Sequence, residues 1–145
     1  MSVFSSLIDQ SQVVEILKDA AQAAHNSSDL SQVMTSTWLF TGPPGSGRSN
    51  AAIAFAAALV CKEGGCSKCN DCLSTILGTH ADVELIKTQG LSIKIDEVRE
   101  LITRASWAPS VANYRVVVIE DADRLTDSAA NALLKVIEEP GLRTI

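Results

Sequence analysis

Residues Gly42-Pro-Pro-Gly-Ser-Gly-Arg-Ser49 could wrap an anion. Gly45 and Gly47 free the backbone to approach phosphates closely. Successive N–H groups and the N-terminus of a following helix would then point at one charge. The outer glycines, Gly42 and Gly47, and the Ser49 hydroxyl match the phosphate-loop spacing, and Ser49 is placed to hold Mg²⁺. Pro43, Pro44 and Ser46 complete the candidate cofactor-binding set. The competing reading is an ordinary glycine turn before a helix.

Arg48 stands where the phosphate-loop pattern has lysine. Lysine is a compact point charge, whereas guanidinium is planar, wider and suited to bidentate partners. Arg48 either attracts a nucleotide phosphate or fills the cradle and pairs with Glu120 or Asp121. Those two acids end a short apolar run, where such sites place an Asp that holds the Mg²⁺ shell and then a Glu that polarises the attacking water. Here the order is Glu120-Asp121. Displacing a catalytic group by about an ångström costs on the order of a hundredfold in rate, so the expected site binds but turns over poorly. Two acids in a surface turn are the bland alternative.

Cys61, Cys66, Cys69 and Cys72 are the four cysteines of the chain, and all lie within one short stretch. That clustering excludes a disulfide framework stapling distant segments. Four soft ligands around glycines suit a tetrahedral Zn²⁺, and a fully ligated ion leaves no open position for catalysis. Redox thiols or incidental cysteines are the alternatives. His80 lies beyond the cluster and His25 in a polar stretch, and neither is expected to be a ligand.

Positioning these groups requires strands that alternate with helices. A helix is expected from Asp9 to Ala24, where apolar residues recur at helical spacing and Asp9 or Ser11 can cap the start. A loop over 25–37 follows, with His25 solvated in it. Then come a strand over Thr37–Thr41, the glycine loop, and a helix from Arg48 to about Val60. A short helix over Cys72–Leu77, a strand over Asp82–Lys87 and a helix from Ile95 to about Ser106 come next. Tyr114–Ile119 reads as a strand buried on both faces. The helix Asp127–Glu139 is stopped by Pro140 and Gly141, and Arg143–Ile145 begins another strand. The pattern predicts a mostly parallel sheet with helices on both faces, and ligands beyond the carboxyl ends of its strands. The glycine loop and Glu120-Asp121 would share that edge.

The 145 residues are 46% hydrophobic and carry a net charge of −5, enough to bury one domain core. The acidic balance argues against a generally DNA-coating surface, so any nucleic-acid role is expected to be indirect. No basic leader precedes a long apolar run and no run is long enough to cross a bilayer, so a soluble, cytosolic protein without a membrane partner is expected.

Several stretches together resemble the bacterial clamp-loader ATPases. They are Phe4…Leu7-Ile-Asp-Gln10…Val13-Val14, the Gly42–Ser49 loop, the four-cysteine insert after the next helix, and Gly78-Thr-His-Ala-Asp82. Ile95-Asp-Glu-Val-Arg-Glu-Leu101, Val118-Ile-Glu-Asp-Ala-Asp-Arg-Leu125 and Asn131-Ala-Leu-Leu-Lys…Glu-Glu-Pro140 continue the series. Arg48 and the order Glu120-Asp121 look most like the delta-prime subunit of that family. The resemblance implies an AAA+ (RecA-like, P-loop) nucleotide-binding domain over 1–145 with a zinc-binding insert at 61–72. It also implies ATP with Mg²⁺ at the loop, and other clamp-loader subunits (gamma/tau, delta), the sliding clamp and primed DNA as partners. The implied role is a stator in DNA replication that hydrolyses ATP weakly or not at all. The alternative is an active motor of the gamma/tau type. The arginine finger, sensors, lid and collar of the family would lie past Ile145.

Overall fold

The structure, a computed structural model, describes residues 1–26 and 35–145. At its centre, strands β1 (Val83–Ile86) and β2 (Val116–Ile119) pair in parallel, with Val83 opposite Val116 and Ile86 opposite Ile119. On the other side of β2, the Arg115 and Val117 N–H groups donate to the Arg143 and Ile145 carbonyls. Thr144 thus forms an isolated parallel bridge beside Arg115, at the place where the sequence suggests the start of another strand.

Alternation along β2 divides the core. Val116 and Val118 face one apolar cluster with Phe55, Leu59 and Leu17, while Val117 and Ile119 face a second with Val98, Leu101 and Leu133. Helices therefore cover both faces, which is why β2 carries β-branched residues without polar alternation. The α/β class with a parallel sheet is the one the sequence predicts.

The first face is covered by α1 (Ser11–Asn26), α2 (Arg48–Val60) and α3 (Asn70–Ile76). Ala54 through Val60 are all buried, so α2 is apolar around its whole circumference, as a helix enclosed by neighbours must be. Its alanines let α1 approach, and the Tyr114 hydroxyl bonds the Ala24 carbonyl at the end of α1. The second face is covered by α4 (Ile95–Ala105) and α5 (Asp127–Glu138). Glu97 accepts from the Lys94 N–H at 2.9 Å, and Asp96 and Glu97 complement the positive end of α4. The Thr126 hydroxyl caps α5 through the Ala129 N–H.

Two expectations are corrected. Residues 37–41 join no ladder among the described strands. Trp38 and Phe40 nevertheless pack on the core as alternate residues of an extended segment would, and Trp38 meets Phe55 edge-on at 4.9 Å. Strand formation needs a neighbour's backbone as well as an alternating pattern, and Leu39 stays 82% exposed. His25 belongs to the last turn of α1, and its Nε2 lies 2.9 Å from the Ala58 carbonyl, tying α1 to α2 instead of meeting solvent. The rest of the loop expected over 25–37 lies largely outside the described residues.

Candidate functional site

The glycine loop is shaped by its own short contacts. The Ser46 N–H donates to the Pro43 carbonyl at 3.1 Å, closing a turn. Gly47 precedes α2 with φ 85°, a left-handed conformation that a side chain would strain. The first ladder bond of α2 runs from the Ala51 N–H to the Gly47 carbonyl, which leaves the N–H groups of Arg48, Ser49 and Asn50 outside the ladder. Gly42, Pro43, Pro44 and Gly45 are exposed, and Ser46, Gly47, Arg48 and Ser49 are half-buried. Beside them lies a cavity of about 390 Å³, walled by Gln10 and Val13 on one side and by Trp38, Phe40 and Arg48 on the other.

The two acids part company. Glu120 is tied to β1 twice: its N–H donates to the Ile86 carbonyl at 2.9 Å, and its carboxylate meets Lys87 Nζ at 3.3 Å. Its side chain is 10% exposed, so this pair is sheltered on the acid's side. Asp121 turns away with φ 50°, a left-handed conformation that Asp tolerates better than most residues. Its carboxylate lies 3.9 Å from Arg48 Nη2 and 3.8 Å from Arg124 Nη2. Of the two partners the sequence offers Arg48, the structure selects Asp121. This also places the loop and the acidic pair on one edge. Both contacts are long and partly exposed, and such pairs contribute about 0–1 kcal/mol. The Arg48 guanidinium is thus held only weakly.

The four cysteines converge. Their Sγ atoms all lie within 4.8 Å of one another, with Cys61 3.8 Å from Cys66 and 3.6 Å from Cys69. A tetrahedral ion with metal–sulfur bonds of about 2.3 Å would separate its sulfurs by about 3.8 Å. Two of the spacings thus match a tetrahedral metal site, and the widest needs a closure of no more than about 1 Å to do so. The N–H groups of Cys66, Cys69 and Cys72 point at the Sγ atoms of Cys61, Cys66 and Cys69, at 3.5, 3.3 and 3.4 Å. Such donors orient and stabilise thiolate ligands. Burial works against the Cys61 thiolate, but the backbone donors of Cys66, Gly65 and Glu63 outweigh it and lower its pKa to about 7. Burial and the neighbouring thiols push Cys72 well up, a penalty a bound cation would reverse. His80 is not among the converging ligands. It is buried, with Nδ1 accepting the Asp82 N–H at 3.0 Å and Nε2 3.6 Å from Asp71 in α3.

Sequence patterns alone do not single out Lys87, Arg124, Asp82 or Arg115 as partners in these networks. Only the β1–β2 register could have flagged Lys87, because it sets the residue after Ile86 beside the residue after Ile119.

A parallel α/β domain with a glycine loop and an acidic pair at one sheet edge, and a four-cysteine knuckle inserted after the loop's helix, is the class these features define. The family described as DNA polymerase III, delta subunit, matches residues 10–145, and the chain belongs to that family. It is 35% identical over 115 residues to DNA polymerase III subunit delta' of Bacillus subtilis, covering 77% of this chain and 35% of that one. It is 30% identical over 142 residues to subunit gamma/tau of Mycobacterium tuberculosis, covering 94% of this chain and 23% of that one. The chain thus spans about a third or less of the length of these relatives. A solved gamma subunit-related protein from Thermotoga maritima is 35% identical over 43% of this chain and 21% of its own, with a TM-score of 0.42. Among the described residues, no helix is long and apolar enough to cross a membrane.

Proposed function

We propose that this chain is the nucleotide-site domain of a delta-prime-type clamp-loader subunit, acting in DNA replication as a stator with a degenerate ATP site. The observation that carries this reading is the separation of the two acids. Glu120, at the position that should hold the Mg²⁺ shell, is neutralised by Lys87, and Asp121 is turned toward two arginines. Gly42–Ser49 would cradle the phosphates, Arg48 would meet their charge in place of its weak Asp121 contact, and the cavity beside it would take the rest of the nucleotide. ATP with Mg²⁺ would supply the charge that orders the loop. Among the described residues, the two acids of this edge are engaged by Lys87, Arg48 and Arg124.

On this reading residues 1–145 form an AAA+ nucleotide-binding domain in which Cys61, Cys66, Cys69 and Cys72 hold one structural Zn²⁺. Its partners are gamma/tau and delta subunits, and through that assembly the sliding clamp and primed DNA, in the cytoplasm. The full-length protein should bind a slowly hydrolysed ATP analogue by titration calorimetry and turn ATP over far more slowly than intact motor subunits do. Turnover at motor rates would overturn the stator role, and the absence of binding would reduce the loop to a relic. Metal analysis should return about one zinc per chain.

A second reading, an active motor of the gamma/tau type, draws support from similarity to gamma/tau along 94% of the chain. Arg48→Lys separates the two: a stator should stay inactive and a motor should gain or hold turnover.

A further inference from the structure

The amino-terminal arm is built against the cysteine module. Residues Val3–Ser6 form a single 3-10 turn, too short to persist on its own bonds. The Val3 N–H donates to the Gly65 carbonyl at 3.0 Å, and the Ser67 hydroxyl donates to the Met1 carbonyl at 3.3 Å. Val3 and Phe4 are buried. Gly65 leaves no slack in this contact: at φ 102°, a Cβ there would fall 2.6 Å from Val3 Cγ2 and 3.3 Å from Ala58 Cβ.

The docking surface is a turn of left-handed backbone. Gly64, Gly65 and Ser67 all have positive φ, at 68°, 102° and 61°, and all lie between Cys61 and Cys69. Glycine adopts such angles freely, but Ser67 at φ 61° persists only where its surroundings over-determine it. Here those surroundings are the converging thiols. Beyond the arm, Leu7 and Gln10 line the cavity beside the glycine loop, facing Trp38 and Arg48.

We propose that metal binding by the four cysteines fixes the 64–67 turn, that the turn docks the amino-terminal arm, and that the docked arm holds Leu7 and Gln10, just after it, in the wall of the loop's cavity. Metal occupancy thereby controls ligand binding at the glycine loop, without the ion touching the ligand. The inference rests on the reading of the cysteines as a zinc site and of the cavity as the nucleotide's. Coupling of this kind is reciprocal, so a ligand in the cavity should slow loss of the metal.

The test uses the full-length protein and amide hydrogen exchange over residues 2–8, which reports the arm whether or not nucleotide binds. Removing zinc with a chelator should speed arm exchange about fivefold or more while the amides of β1 and β2 stay protected. Gly65→Ala, which keeps all four cysteines, should retain one zinc per chain yet show the same fast arm exchange and bind the ATP analogue at least fivefold more weakly. Val3→Ala attacks the contact from the other side and should do the same more mildly, should the glycine variant misfold. An arm that stays protected after zinc removal would overturn the coupling, as would a loosened arm with unchanged analogue affinity. A wild-type protein that holds zinc but binds no nucleotide would instead remove the nucleotide reading of the cavity. The exchange data would still decide whether metal docks the arm.

Discussion

Arg115 Nη2 lies 3.4 Å from Asp82 Oδ1, both side chains buried, at the point where β1 begins and β2 is about to start. Asp82 also accepts from the N–H groups of Ser110, Val111 and Ala112 and from the Ser110 hydroxyl, at 2.7 to 2.9 Å. Arg115 in turn donates through Nε to the Trp107 carbonyl at 3.0 Å. Together they pin the connection from α4 to β2, and so hold in register the strand that leads into Glu120.

The first prediction concerns pH. Burial raises the Asp82 pKa, but the donors from Ala112, Ser110 and Val111 outweigh it and leave it at about 2. A carboxylate whose pKa is lower in the folded than in the unfolded chain adds stability above the unfolded pKa. That stability disappears as pH falls through the folded one. Asp82 should therefore contribute about 2 kcal/mol at neutral pH, a contribution lost between about pH 4 and pH 2. Urea unfolding from pH 7 to pH 2 should show the fall, and Asp82→Asn should flatten it.

Asp82→Ala tests the same centre by deletion. It strips the acceptor from three loop N–H groups and leaves Arg115 charged, buried and unpaired. Breaking such a pair costs about 3–5 kcal/mol, a large share of the 5–15 kcal/mol typical of a domain. The variant should unfold at markedly lower urea, and Arg115→Met in the same background should recover part of the loss by removing the orphaned charge.

Local pattern reveals the elements and hides these centres. The ends of α2 follow from Gly47 before it and the cysteines after it, and β2 announces itself by four consecutive β-branched residues. The cysteine cluster is local in sequence and therefore readable. Asp82, by contrast, ends a recognisable motif but meets partners 28 to 33 residues away, which its neighbours in sequence do not reveal. His25 escapes local pattern for the same reason, since its partner Ala58 lies 33 residues on. The segment 37–41 has the alternation of a strand without a ladder, because pairing is decided by another part of the chain.

His80 supplies the third prediction. Because Nδ1 accepts the Asp82 N–H, the ring carries its proton on Nε2, facing Asp71 one residue before Cys72. His80→Phe keeps an aromatic ring, somewhat larger, but leaves the buried Asp82 N–H unsatisfied, at a cost of about 1–3 kcal/mol. Thermal unfolding should show that loss. Zinc content should stay at one per chain, since no ligand is removed, while amide exchange in α3 should quicken because its tie to β1 is gone. Loss of the zinc would make His80 a partner of the metal site.

The last prediction separates stator from motor. Arg48→Lys replaces a weakly held guanidinium with the point charge that phosphate loops use. If the acids are what keep turnover low, this change alone should leave it at the parent level, because Glu120 remains paired to Lys87. Adding Glu120→Asp shortens the carboxylate and weakens that pairing. Adding Asp121→Glu restores the usual order but puts a longer side chain at φ 50°, where Asp is better tolerated. The triple variant should therefore gain activity only modestly, on the order of tenfold, well short of the hundredfold that correct placement of a catalytic group can bring. Steady-state ATP turnover in full-length protein, alone and with the motor subunits, reads this directly. Full motor activity from Arg48→Lys alone would show that the acids are competent where they stand and that the gamma/tau-type reading is right.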